Sequence, residues 1–124
     1  MNFTIVGRPA TKKNSSRIFL NKRTGARFIA PSQYATDWSF TACVQLAHQK
    51  ADCLGLAVPL NLRALIYRDR AVGDIGNYLA AICDALQDSG AVVNDKWITQ
   101  FDGSRLLIDR IVPRVEIYLS FVET

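Results

Sequence analysis

RVEIYLSF, residues 114 to 121, alternates without a break, with Val115, Ile117, Leu119 and Phe121 on one side and Glu116, Tyr118 and Ser120 on the other. In an extended strand successive side chains point to opposite faces, so this pattern gathers four apolar residues on one surface. A strand with one apolar face needs partner strands and a layer that covers that face. The stretch LGLAVPLNLRALIYRDR supplies a second strand, with Leu60, Leu62, Ala64 and Ile66 on one face, Arg63 among the residues opposite, and a charged end. Phe3 and Ile5 alternate with Thr4 and Val6 in a shorter strand that stops at Gly7 and Pro9.

The covering layer is expected from two helices. Ser32 is placed to cap a long one after Pro31, and Phe40, Cys43, Ala47, Ala51 and Leu54 recur at spacings of three and four as its buried stripe. Tyr34 and Trp38, four apart on another side, are expected to pack in the core. The second helix runs from about Asp74 to Gln87 and buries Tyr78, Leu79, Ile82, Cys83 and Leu86, with DSG at 88 to 90 as its stop. AVVND then reads as a short strand, and RLLI as another. Between the first strand and the first helix, Ile18 to Leu20 and Phe28 to Ala30 flank NKRTG and predict a hairpin with Gly25 in its turn. The order predicts an α+β fold: one domain over residues 1–124, a mixed sheet with two main helices packed against it, and an N-terminal basic β-hairpin.

At 124 residues, 49% hydrophobic and 21% charged, the chain suits one soluble globular domain. It holds no apolar run near the roughly 20 residues of a membrane span, and its N-terminus lacks the apolar core of a signal peptide, so a cytoplasmic location is expected. Cys43, Cys53 and Cys83 lie in apolar stretches without a CxxC pair and are expected to be small buried hydrophobes.

Charge is segregated along the chain. Residues 1 to 36 hold Arg8, Lys12, Lys13, Arg17, Lys22, Arg23 and Arg27 and no acid, while the rest holds 8 positive and 11 negative residues. A basic block among small polar residues suits phosphate binding, since each neutralised phosphate releases counterions. The bland alternative is a solvated basic arm.

The only histidine, His48, lies inside the first helix without a partner at metal-ligand or triad spacing, so it is expected to be a surface or packed residue. Any cutting of nucleic acid therefore falls to carboxylates and a hard metal such as Mg²⁺. Asp74 and Asp95 stand out. A helix of about 12 residues advances roughly 18 Å, and a five-residue strand returns roughly 17 Å, so an out-and-back path would bring the two acids together. Asp84, roughly 15 Å along the axis from Asp74, is the weaker candidate. Each acid also has an ordinary reading, as a helix cap and as a turn residue.

GRPATKKNSSR at 7 to 17, PSQYATDW at 31 to 38, GDIGNYLAAICDALQDSGAVVND at 73 to 95 and PRVEIYL at 113 to 119 resemble, in order and spacing, the RusA family of Holliday-junction resolvases. The resemblance covers nearly the whole chain. It implies a homodimer that binds four-way DNA junctions and, with Mg²⁺, makes paired nicks in strands of like polarity. Asp74 and Asp95 match acidic positions of the family and carry over as catalytic metal ligands. Lys12, Lys13, Asn14 and Arg17 match its basic motif and carry over as DNA contacts, with Arg27 and Arg105 added on less motif support.

Two positions depart from the family pattern, which is close to DxDNxxK at the helix start. Gly76 stands where that pattern has its second aspartate, and Ala80 where it has its lysine. Loss of both charges points to weak or absent cleavage with binding retained. The alternatives are a junction-binding protein without nuclease activity and a single-strand or RNA-binding module, and the second gives the paired acids no purpose.

Overall fold

The computed structural model describes residues 1–11, 16–20, 23–24, 27–31, 33–49 and 55–123, and for 16–20 and 27–31 the path of the backbone. Ten elements follow one another: β1 (Asn2–Val6), β2 (Ser16–Leu20), β3 (Arg27–Pro31), α1 (Gln33–Gln49), β4 (Leu60–Arg68), α2 (Ile75–Asp88), a 3-10 turn (Asp95–Trp97), β5 (Ile98–Gln100), β6 (Arg105–Ile108) and β7 (Arg114–Phe121). Five strands make a mixed sheet in the order β1-β7-β4-β5, with β6 also on β4. β7 is antiparallel to both of its neighbours, whereas β5 and β6 run parallel to β4. Parallel pairing needs a crossover between the strands, and α2 supplies it.

The expected α+β architecture is the one observed. Leu60, Leu62, Ala64 and Ile66 are all fully buried, together with Phe3 and Ile5 of β1 and Val115, Ile117 and Leu119 of β7. Alternation thus places one face of three adjacent strands in the core, and α2 adds Tyr78, Ile82, Cys83, Ala85 and Leu86. β2 and β3 pair antiparallel with Ile18 opposite Ile29, the hairpin expected from the sequence. Gly25 lies outside the described residues.

Four expectations need correction. In α1 the buried residues are Ala35, Trp38, Ala42 and Leu46, while Phe40 is 71% exposed, Ala47 is exposed and Cys43 is half-buried. Both stripes have helical spacing, but small alanines allow the helix to approach its neighbours closely and Phe40 does not. Trp38 is in the core as expected; Tyr34 is partly exposed, and Ser32, Ala51 and Leu54 lie outside the described residues. Phe121, 62% exposed, belongs to the last rung of the β4–β7 ladder, opposite fully buried Leu60, so the apolar alternation of β7 outruns its buried face by one residue. AVVND is no strand: only Val92 makes a bridge, parallel to Leu56. β5 was not anticipated, since its three residues are too few to show a period.

Candidate functional site

β4 delivers the chain at its carboxyl end into the loop 69–74, from which α2 starts. Sheets with parallel strands commonly bind ligands outside such ends. Arg68 organises this loop, its Nη1 donating to the carbonyls of Val72 at 2.8 Å and Gly73 at 3.2 Å. The Tyr78 hydroxyl donates to the same Val72 carbonyl at 2.7 Å. Gly73 takes φ 90°, a value that favours glycine, and the chain turns into the helix.

Asp74 occupies the N-cap position in an extended conformation, and its carbonyl accepts from the amides of Asn77 at 3.1 Å and Tyr78 at 3.3 Å. Its side chain makes no capping hydrogen bond. The carboxylate is exposed at the start of α2, where the helix dipole favours negative charge. Its position is that of a cap, yet capping does not occupy it.

Asp95 is held differently. At the end of α2 the amide of Gly90 bonds to the Gln87 carbonyl and that of Val92 returns to Leu86, so the chain tucks under the helix end. Asn94 then caps the 3-10 turn by accepting from the Lys96 amide at 2.9 Å, and the Asp95 amide donates to Gln87 Oε1 at 2.9 Å. The return from α2 to Asp95 is thus made by a tight turn and not by the expected strand.

What the structure brings to Asp95 is the flank of α2. An open concavity of about 580 Å³ is lined by Gly76, Ala80 and Asp84, on successive turns of one helix face, with Cys83, Asp95 and Phe101. Asp74 is not among its lining residues. Asp84, the weaker candidate by sequence, thus shares a surface with Asp95. Burial first, and then the charges of Asp95 and Asp84, push the Cys83 thiol up to about 12, which makes it an inert neutral wall. Both positions that depart from the family pattern, Gly76 and Ala80, open onto this same surface.

Gly76 has no conformational need to be glycine. Its φ is not positive, and a Cβ built on it meets nothing within 4 Å. A second concavity, on the flank of α2 toward α1, is lined by Asn77, Ala80 and Asp84 with Ser39 and Thr11. Thr11 is buried and directly precedes Lys12 in sequence.

The expected DNA contacts fare unevenly. Lys12, Lys13 and Asn14 lie outside the described residues. Arg17 and Arg27 belong to the hairpin strands, opposite Ala30 and Leu20. Arg105 opens β6 opposite Leu65 and is exposed. His48 is an exposed residue of α1.

Among the described residues no group of three or more His, Cys, Asp or Glu side chains converges. The donor set is compatible with Mg²⁺, which takes one or two carboxylates and completes its shell with waters and phosphate oxygens. No helix among the described residues is long and apolar enough to cross a membrane. Comparison with protein-family models finds none that matches the chain, and comparison with curated proteins finds no match.

Sequence reasoning missed one group of residues. Arg8, Arg68 and Arg70 line a common cleft with Tyr34 and Tyr78. The signal was present in RDR, a charged end directly after an apolar strand, but the convergence of Arg8 on it depends on the β1–β7–β4 pairing.

Proposed function

We propose that this chain is a RusA-like protein of four-way DNA junctions, a homodimeric, Mg²⁺-dependent endonuclease by type whose cleavage is impaired by Gly76 and Ala80. One observation carries the reading: Gly76 and Ala80, where the resembled pattern has an acid and a lysine, line one concavity with Asp95 and Asp84. The open space at Gly76 supports it, because neither backbone strain nor close packing accounts for a glycine there.

Bound Mg²⁺ would supply charge to the attacking and leaving oxygens of a phosphodiester. The chain's own part is to hold the cation and the DNA. Asp95, fixed through its amide by Gln87, and Asp84 offer carboxylates along α2, and Asp74 offers a third at the helix start. With no carboxylate at 76 the cation keeps more waters and is held more loosely, and with no lysine at 80 the phosphate loses a charged contact. Lys12, Lys13, Arg17 and Arg27 would carry the DNA, giving an affinity that falls steeply with salt.

A second reading is a junction-binding protein without nuclease activity, and the same two positions favour it. A labelled four-way junction with Mg²⁺ separates the two, comparing the chain with its Gly76→Asp/Ala80→Lys variant. Slow cutting that the variant accelerates supports an impaired nuclease. Binding with no cutting by the chain, and cutting by the variant, supports the binding protein. Equal, fast cutting by both would refute the role given to positions 76 and 80, and failure to prefer a junction over linear duplex would refute the junction reading.

A further inference from the structure

We infer that Arg8, Arg68 and Arg70 form a cleft that takes one backbone phosphate of nucleic acid. The inference deepens the function proposed above and rests only on its claim that the ligand is a phosphodiester, not on the choice of junctions or on the metal.

The cleft is small, about 80 Å³, a volume that suits an oxyanion group rather than a nucleobase. Its arginines arrive from separate places: Arg8 just after β1, Arg68 at the end of β4 and Arg70 from the loop before α2. Asp69 is the one acid among the lining residues, so three positive charges face one negative. The Arg8–Asp69 pair is long, 3.8 Å, with both side chains a third or more exposed. Pairs of that kind contribute about 0–1 kcal/mol, too little to neutralise the site.

Two of the three guanidinium groups are set in place before any ligand arrives. Arg8 lies over the Tyr34 ring at 4.3 Å, and the Tyr34 hydroxyl donates to the Arg8 carbonyl at 2.7 Å, so ring and backbone fix it together. A guanidinium stacked on an aromatic face keeps its in-plane N–H donors for a planar or bidentate acceptor, and phosphate is the acceptor that geometry serves. Arg68 is anchored through Nη1 to two carbonyls, and its buried Nε has no acceptor among the described residues. Neither its charge nor that of exposed Arg70 is offset by a carboxylate in the ion pairs of the described residues. Because Arg68 holds the loop that ends at Asp74, a phosphate in the cleft lies one short loop from the start of α2.

The test is equilibrium binding of a fluorescent four-way junction and a linear duplex of the same sequence, in EDTA, across a salt series. The variants are Arg8→Gln, Arg70→Gln, the double variant and Asp69→Asn, with Arg63→Gln as an exposed control five residues before Arg68 on β4. The double variant is expected to weaken both DNAs about tenfold and to lower the salt slope by about one, the change for one lost phosphate contact. Asp69→Asn is expected to tighten binding, and Arg63→Gln to leave the slope unchanged. Thermal unfolding checks that each variant is folded, and exposed Arg70 keeps the test open if Arg8→Gln destabilises the chain. An unchanged slope in a folded double variant, weaker binding by Asp69→Asn, or a parent chain that binds neither DNA would overturn the inference. Equal affinity for junction and duplex, with the slope still reduced in the double variant, would uphold the cleft and refute the junction reading.

Discussion

The amide of Asp95 donates to Oε1 of Gln87 at 2.9 Å, so the acid that follows α2 is tied to the last turn of that helix. The bond spans the tight turn at Ser89 and Gly90 and determines where the Asp95 backbone stands relative to Asp84 and Gly76. Gln87→Ala removes it without touching either carboxylate. A loss of about 1 kcal/mol is expected from one hydrogen bond, checked by denaturant unfolding. Any Mg²⁺-dependent increase in melting temperature should shrink in this variant while DNA affinity in EDTA stays level. An undiminished Mg²⁺ effect would mean that Asp95 needs no such positioning.

Gly76→Asp should fold without rearrangement, since the new Cβ enters open space. Replacing glycine in the first turn, and adding a carboxylate near the positive end of the helix dipole, should together raise stability by about 0.5–1 kcal/mol in Mg²⁺. In EDTA the gain should be smaller, because the new charge then faces Asp95 and Asp84 without a cation between them. Melting curves with and without Mg²⁺ measure the difference, independently of any cutting. Identical gains in the two buffers would argue against cation binding on this face of α2.

Much of the fold is legible in period alone, and the limits have physical causes. β4 and β7 announce themselves because each has one face against the core and one against water, so the alternation of the sequence is the alternation of the environment. α1 misleads because alanine is weakly apolar: Ala35 and Ala42 are fully buried and Phe40 is not, which reverses the order that side-chain size suggests. At the candidate site, the residue types around α2 are visible in the sequence, but their pairing depends on how the helix ends. The apolar residues of AVVND suggest a return strand. The observed turn, closed by backbone bonds from Gly90 and Val92, sets Asp95 on one concavity with Asp84 and Gly76. No local pattern encodes that choice, because AVVND has the composition of either.

Asp109 should make acid stability depend on one turn. Its Oδ1 accepts from the amides of Val112 at 2.9 Å and Ile111 at 3.0 Å, and its Oδ2 from Arg114 Nη1 at 2.8 Å. The Val112 amide, then Arg114, then the Ile111 amide hold its carboxyl below the ordinary value of 3.8. A carboxyl depressed in the folded state adds stability that is fully present above its unfolded value and is lost as pH falls through the folded one. Asp109→Asn should therefore be less stable than the parent at pH 6 and should show a weaker pH dependence below about pH 4. Unfolding midpoints at a series of pH values measure this, and parallel curves for the two chains would remove Asp109 as the group responsible.

Gln45 and Gln49 should protect the open edge of the sheet. Among the described residues β1 pairs with β7 on one side only, and on the other side its backbone is bonded by side chains. Gln49 accepts from the Thr4 amide at 2.8 Å and donates to the Thr4 carbonyl at 2.7 Å, while Gln45 does the same at Val6 with 2.8 and 3.2 Å. The match is geometric: four residues of helix rise about 6 Å and two residues of strand span about 6.6 Å, so amides one turn apart meet alternate strand residues. An uncovered edge strand offers its N–H and C=O groups to another chain. Gln45→Ala/Gln49→Ala is expected to lower stability by about 2 kcal/mol, from four partly hydrated hydrogen bonds, and to raise light scattering at high protein concentration. Gln45→Glu/Gln49→Glu retains acceptors for the two amides but has no donors for the carbonyls, so its stability should fall between the parent and the alanine variant. The added charge should also suppress association. A scattering increase in the glutamate variant equal to that of the alanine variant would show that the edge is not the surface through which the chains associate.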